Sequence, residues 1–240
     1  IIDLGNSKIK AAVFEGDTLL NKIIIGYEDW ENQLENIVKK NENINNVVVA
    51  NVSKVEKESF SFVEKYANLF IISSTSNFPF TNNYETPSTL GIDRMVLASG
   101  AVLSFPNKNR LVIDAGTCVT YDFIDENNYY HGGAISPGIR IRYESLHNYT
   151  AKLPLLSKVD EQTLIGASTD KSIHSGVLNG LSFEIDGFIN RYSEKYKNFI
   201  IILTGGDTEF LAKRLKNTIF ANQNFLLESL NQTFQFNQHD

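Results

Sequence analysis

Short apolar runs alternate along this chain with longer stretches in which apolar residues recur at helical spacing. Residues 1–5, 9–15 and 18–26 are three close apolar segments, which predict antiparallel strands. Over residues 29–40 (DWENQLENIVKK), Trp30, Leu34, Ile37 and Val38 fall on one face, as in an amphipathic helix. NVVVA at 46–50 reads as a strand buried on both faces. The pattern then predicts a helix over 54–67 with Val55, Phe62, Val63 and Tyr66 inward. A strand at 69–73 and a helix from Asp93 to Leu103 follow. In the second half, 110–113 and 118–124 read as strands, followed by HGGAISPGI at 131–139 and helices at about 139–149 and 169–197. The longer helix carries a stripe of Ile173, Val177, Leu181, Ile185, Ile189 and Tyr192. FIIIL at 199–203 is a buried strand, and TGGD at 204–207 turns from it into a helix. The polar tail NQTFQFNQHD is expected to fray beyond the last helix.

Strands followed by strand–helix units in both halves predict mixed sheets flanked by helices, an α/β architecture. FPNKNR at 105–110 marks the boundary, giving domains over 1–107 and 108–240. An internal repeat agrees with that division. IDLGNS at 2–7 recurs in outline as IDAGTC at 113–118, with Asp3 answering to Asp114 and Gly5 to Gly116. Each copy is an apolar strand followed by Asp-x-Gly and a small polar residue. Such a turn suits phosphate: glycine lets the backbone approach closely, successive N–H groups point inward, and the aspartate can hold a metal. By itself, a match this short is also what ordinary Asp-Gly turns after strands produce.

Composition narrows the setting. The net charge of −6 lacks the clustered Lys and Arg of a general nucleic-acid binder. A lone cysteine, Cys118, rules out an intrachain disulfide or a cysteine zinc site, and a reducing cytoplasm is the simplest compartment. Cys118 is expected to be a small buried side chain. No apolar run reaches the ~20 residues of a membrane span, so no membrane partner is expected. The opening IIDLGNS has neither a basic region nor a long apolar one, so it does not read as a signal peptide. It has no initiator methionine, and a few preceding residues are expected to be missing. His131, His147, His174 and His239 have no metal-ligand spacing, and most of them read as surface residues.

Five motifs stand in order: DLGNSKIK (3–10), TPSTLGIDR (86–94) preceded by Tyr84, DAGT (114–117), GGAISPG (132–138) and TGGD (204–207). Any one is a weak signal. Together, over essentially the whole chain, they resemble the type III pantothenate kinases, which belong to the superfamily of acetate kinase, hexokinase, heat-shock chaperone ATPases and actin. The resemblance implies two similar actin-like (ribonuclease H-like) domains, each a mixed five-stranded sheet flanked by helices, with ATP in the cleft. It implies ATP-dependent phosphorylation of the primary hydroxyl of pantothenate, the first step of coenzyme A biosynthesis. The family is typically a homodimer.

By resemblance, residues Asp3, Leu4, Gly5, Asn6, Ser7, Lys8, Ile9 and Lys10, with Thr117, bind ATP. Tyr84, Gly91, Ile92, Asp93, Arg94 and Thr169 bind pantothenate. Asp114 holds a monovalent cation, K⁺ or NH₄⁺. Asp3 orients Mg²⁺ through water, since that ion keeps several waters. Asp93 is the candidate general base, because an alcohol attacks poorly until its proton has somewhere to go. Arg94 can hold an anion through two parallel donors. Read without the resemblance, Asp93 and Arg94 are a helix cap and a solvated charge, and Asp3 is a turn-capping residue. Ser7 and Ser168 depart from the family's usual Thr and Asn, and Ser7 keeps the hydroxyl. Two other functions share this fold: a non-catalytic accessory factor for transcription, and a sugar or acetate kinase. The intact Asp3, Asp93, Asp114 and Thr117 speak against the first, and TPSTLGIDR against the second.

Overall fold

The computed structural model describes residues 1–5, 8–41, 43–51, 55 and 57–238. The chain divides into two compact units. One comprises Ile1–Pro106 together with the chain from Asn224 onward, and the other Asn107–Gln223. The sequence boundary gives everything after residue 107 to a second domain. By proximity, the last helix groups with the first unit.

In the first unit, strands β1 (Ile2–Leu4), β2 (Ile9–Glu15), β3 (Thr18–Ile25), β4 (Asn46–Asn51) and β5 (Asn68–Ile72) form a sheet in the order β3-β2-β1-β4-β5. The β1–β2 and β2–β3 pairs are antiparallel, and the β1–β4 and β4–β5 pairs parallel. Val47, Val48, Val49 and Ala50 are all buried, as a parallel strand covered on both faces requires. Helix α1 (Trp30–Lys40) turns Trp30, Leu34 and Val38 onto this sheet, four residues apart. There they join Ile2, Leu4, Ile9, Ala11, Ile25, Val47 and Val49 in one apolar cluster.

The helix expected over 54–67 is not formed. Within the described part of that stretch the chain makes two 3₁₀ turns, Lys57–Phe60 and Val63–Lys65. Phe60 and Val63 are the buried residues, three apart, which is the repeat of a 3₁₀ turn. Tyr66, expected to point inward, is 41% exposed, so no continuous apolar stripe exists for an α-helix to bury.

A two-residue strand β6 (Thr81–Asn82) and a 3₁₀ turn at Pro87–Thr89 lead into α2 (Ile92–Ser104). Against it lies α7 (Phe225–Gln238), the two axes meeting closely at Gly100. A Cβ on Gly100 would lie 1.9 Å from Ser229 Oγ and 2.4 Å from Ser229 Cβ. One turn further along, Thr233 Oγ1 donates to Ser99 Oγ at 2.8 Å. The tail expected to fray is therefore ordered as helix through Gln238, because its polar side chains have partners. Asn231 Nδ2 donates to the Gly16 carbonyl at 2.9 Å, and Asn237 bonds the Asn77 backbone in both directions. His239 and Asp240 lie outside the described residues.

The second unit contains β7 (Asn109–Ala115), β8 (Cys118–Ile124), β9 (Tyr129–Pro137), β10 (Phe199–Thr204) and β11 (Phe220–Ala221), ordered β11-β10-β7-β8-β9. Helix α3 (Ile139–Asn148) follows β9, and α6 (Thr208–Ala212) follows β10. The helix expected over 169–197 has the predicted stripe, with Ile173, Val177, Leu181, Ile185 and Ile189 all buried against Leu111, Ile113, Val119 and Tyr121. It is not one α-helix, however. It runs as α4 (Thr169–His174), a π turn at Ser175–Asn179, and α5 (Gly180–Lys195). A strict repeat of four outruns the ~3.6 residues of an α-helical turn, and one wider turn brings the stripe back onto the sheet. Both units are thus mixed sheets flanked by helices, as the residue pattern predicts.

The Gly100 contact gives a direct test. Gly100→Ala should lower stability by roughly 1–3 kcal/mol, because the added methyl has no room without moving α7. Combining it with Ser229→Gly should recover part of the loss in urea unfolding. Unchanged stability of the single variant would contradict the packing.

Candidate functional site

In the first unit the site begins with the hairpin of β1 and β2. Asp3 and Lys10 face each other in the antiparallel register, and Leu4 faces Ile9. Asp3 is 3% exposed, and Lys10 Nζ lies 3.5 Å from its Oδ2. Burial pushes the Asp3 carboxyl above the ordinary carboxylate range. Lys10 opposes that shift, and the negative charge of Asp93 adds to it. The two carboxylates are thus close enough to feel one another. Leu4 and Ile9 are fully buried, and their side chains belong to the apolar cluster of the sheet. Gly5 accepts a hydrogen bond from the Tyr27 hydroxyl at 2.5 Å, which holds the turn after β1. Lys8 is exposed. Asn6 and Ser7 lie outside the described residues.

Asp93 is the second residue of α2. Its Oδ1 accepts the backbone N–H of Arg94 at 2.9 Å. The carboxylate folds back over the helix start, where the exposed N–H groups favour negative charge. Gly91 makes room for it: a Cβ there would sit 2.4 Å from Asp93 Oδ1. Arg94 is 7% exposed, and its guanidinium lies over the Tyr84 ring, 5.6 Å from the centroid. Asn82 Oδ1 in turn accepts the Tyr84 N–H at 3.0 Å. A buried cation stacked on a phenol ring, one residue from a half-buried carboxylate, can hold an anionic substrate beside a proton acceptor. Ile92 is half-buried at the helix start. The hairpin and the helix start therefore gather Asp3, Lys10, Asp93, Arg94, Gly91 and Tyr84 within one unit.

The second unit has its own constellation. Asp114 lies near the end of β7, and Gly116 and Thr117 turn the chain into β8. The Gly116 N–H donates to the Cys118 carbonyl at 2.9 Å, and the Gly138 N–H to the Thr117 carbonyl at 3.1 Å. On the other side, Gly205 has a φ of 97°. A Cβ there would be 2.4 Å from both Asp114 Oδ1 and the Ala115 carbonyl oxygen. Only glycine satisfies both demands. The Asp207 N–H donates to the Ala115 carbonyl at 3.0 Å. So DAGT, SPG and TGGD, far apart in sequence, become adjoining turns around one carboxylate. Next to Asp114 along the sheet stand Thr120 and Thr204, whose Oγ1 atoms are buried without a hydrogen-bond partner among the described residues. Each such group costs about 1–3 kcal/mol when left unmade.

Thr169 opens α4, exposed, after Ser168 caps the helix by accepting the Lys171 N–H. That helix is fixed at its far end by the 2.7 Å hydrogen bond between the Tyr143 hydroxyl and His174 Nδ1. Cys118, expected to be buried, is exposed, because it is the first residue of β8 and faces away from the core that Val119 enters. Of the motifs GGAISPG and TGGD, the resemblance implies only that TGGD is an adenosine-side turn; the packing roles of Gly138 and Gly205 are not evident from the sequence. Their motif glycines were the available signal. Tyr27 and Asn82, which hold Gly5 and Tyr84, left no signal in the sequence pattern.

The buried Asp3 carboxylate makes a pH prediction. Its pKa is higher folded than unfolded, so the folded state binds the proton more tightly, and stability falls as pH rises from the ordinary value of 3.8 through the folded one. Above that window the loss is complete. Asp3→Asn should therefore melt higher than the parent at neutral pH, with the advantage fading as pH drops toward 3.8. A melting temperature below the parent's at neutral pH would count against the buried-charge reading.

Comparison with known proteins assigns the constellation to a family. A family model described as type III pantothenate kinase matches residues 1–191. A protein of Flavobacterium johnsoniae named type III pantothenate kinase is 60% identical over 235 residues, covering 98% of this chain and 96% of its own. Among solved structures, a proposed Baf family transcriptional activator from Campylobacter jejuni superposes with a TM-score of 0.63 at 20% identity, covering 100% of this chain and 98% of that one. A ROK family glucokinase from Streptomyces griseus, solved with glucose and AMPPNP, gives 0.52 at 12% identity, covering 100% and 98%. At those identities the two structures speak for the fold alone, which is the actin-like fold of the sugar kinases. The family match over residues 1–191 and the close relative over 98% of the chain agree: it belongs to the type III pantothenate kinases.

Proposed function

We propose that this chain transfers the terminal phosphoryl group of ATP to the primary hydroxyl of pantothenate, the first step toward coenzyme A. The observation that carries this reading is the grouping in the first unit: a half-buried carboxylate, Asp93, beside a buried guanidinium, Arg94, with the Asp3–Lys10 pair within electrostatic reach. Phosphoryl transfer asks little covalent chemistry of a protein and much positioning and charge balance.

In this reading Asp93 accepts the hydroxyl proton as the oxygen attacks. Arg94, steadied on Tyr84, pairs with the pantothenate carboxylate through two donors. Gly91 and Ile92 shape the acceptor site, and Thr169 adds a hydroxyl to it. The Gly5 turn, Asn6, Ser7, Lys8 and Lys10 present donors and positive charge to the ATP phosphates, with Thr117 a further ATP contact. Asp3 fits Mg²⁺: a buried carboxylate with one ammonium at 3.5 Å has negative charge to share with a hydrated cation. Bound there, Mg²⁺ would offset phosphate charge. Asp114 fits K⁺ or NH₄⁺, since two buried, unpartnered hydroxyls flank it.

A homodimer is supported by exposed apolar side chains on the second unit, Phe183 on α5 and Ile135 on β9. A cytoplasmic setting is supported by the lone cysteine, and no described helix is long and apolar enough to cross a membrane. The alternatives are less well supported: the 60% identical relative is named a pantothenate kinase.

Asp93→Asn keeps the shape but loses the proton acceptor. The turnover number with pantothenate should fall roughly 10²–10⁴-fold, with ATP affinity little changed, in an assay that couples ADP release to a dye. Glucose and acetate in place of pantothenate should give no turnover in the parent enzyme. Near-normal turnover by the Asp93→Asn protein would reject the assigned base, and preferential use of glucose would reject the substrate.

A further inference from the structure

Three neighbouring strands of the second unit place oxygen-bearing side chains in one row. Thr204 on β10 pairs with Asp114 on β7, and Asp114 pairs with Thr120 on β8. Residues paired in register point to the same face of a sheet, and directly opposite side chains start about 4.5–5.5 Å apart. The row is therefore hydroxyl, carboxylate, hydroxyl. Thr204 is 1% exposed, and neither its Oγ1 nor that of Thr120 has a hydrogen-bond partner among the described residues. Other buried hydroxyls of this unit are paired, Thr208 donating to the Gly205 carbonyl at 2.7 Å and Ser182 to the Leu178 carbonyl at 2.9 Å; among the described residues one further buried hydroxyl, that of Ser229 at the α2–α7 contact, is likewise unpartnered, and it stands beside no carboxylate row. Two unpaired hydroxyls on either side of the same carboxylate call for a shared ligand.

The donor set narrows what that ligand is. One carboxylate balances one positive charge, and neutral hydroxyl oxygens add coordination without adding charge. That set suits a monovalent cation. A divalent ion bound by the protein itself draws on more carboxylates. Among the described residues no group of three or more His, Cys, Asp or Glu could hold a metal ion. An anion is disfavoured by the carboxylate at the centre of the row. The Asp114 carboxylate leans toward Gly205, where any side chain would strike Oδ1 at 2.4 Å, so the end of the row beside the TGGD turn is kept clear.

We propose that Thr120 and Thr204 are ligands of the monovalent cation held at Asp114, each offering its hydroxyl oxygen, and that they set its affinity. This rests on the reading of Asp114 as the cation-binding residue. Thr120 lies outside the sequence motifs, and Thr204 opens TGGD without a ligand role being expected of it.

The test uses the full chain without nucleotide, melted in KCl, NaCl and choline chloride at equal ionic strength. The parent should melt higher in KCl than in choline chloride. Thr204→Val and Thr120→Val keep the side-chain shape and should fold, melting in choline chloride at or above the parent. Their KCl-dependent rise should require roughly 10-fold or more added K⁺, and Thr204→Ser should restore the parent response. In turnover assays the half-activating K⁺ concentration should move by the same factor. A parent with no K⁺-dependent rise would overturn the Asp114 reading and this proposal together. A K⁺ response abolished by Asp114→Ala but intact in both valine variants would overturn this proposal and leave Asp114 in place. A valine variant that changes only the KM for ATP would also overturn it, since the hydroxyl would then face the nucleotide.

Discussion

Burying Asp3 is the demand that the rest of the first unit answers. A carboxylate inside a sheet is costly unless something charged or hydrogen-bonding meets it. The antiparallel register of β1 and β2 brings Lys10 to 3.5 Å, which offsets only part of the cost. Asp93, at the start of α2, adds a second negative charge within reach. With Lys10 set against Asp3 and Arg94 beside Asp93, the region carries no surplus positive charge, which under the proposed function suits phosphate that arrives bound to a metal ion. The geometry is held from outside by neutral contacts: Tyr27 on the Gly5 carbonyl and Asn82 on the Tyr84 backbone.

The second unit answers the same demand differently. Asp114 stands at the position of Asp3 in the repeat, but no lysine occupies the place that Lys10 holds; the paired strand residue is Thr120. The halves thus share a strand, an aspartate and a glycine turn while differing in what balances the charge. In the first, a covalently attached ammonium serves. In the second, the flanking side chains are neutral oxygens, and turns from three separate segments close around the carboxylate.

Much of this was legible in the residues. Every strand expected from apolar runs is present, because short buried runs bounded by turn residues have few other solutions. The stripe from Ile173 to Ile189 is the buried face it was read to be. The misreadings share a cause. At 54–67 the apolar residues were assigned to the longer of two possible periods, and the protein uses the shorter. In the stripe, the repeat of four resembles an α-helical one, but its drift requires a π turn. The tail looked dispensable because it is polar, yet Asn231, Thr233 and Asn237 are polar in order to bond Gly16, Ser99 and Asn77. Local periodicity reports which face is apolar; it does not report which distant backbone a polar side chain will meet. The candidate site residues of the first unit are legible because they sit in contiguous motifs. The row of Thr204, Asp114 and Thr120 is not, because what joins these residues is strand order.

The pairing of α2 with α7 also bears on how the molecule is assembled during synthesis. The second unit is one unbroken stretch, Asn107–Gln223, and all of its strands and helices are available once that stretch has left the ribosome. The first unit is not contiguous. Its α2, buried at every position from Arg94 to Val102, lacks α7 until the whole intervening unit has been made. The domain that is translated first is therefore completed last. Until then the surface around Gly100 and Ser99 stays open in the nascent chain, so the half bearing Asp93 cannot settle before the other half exists.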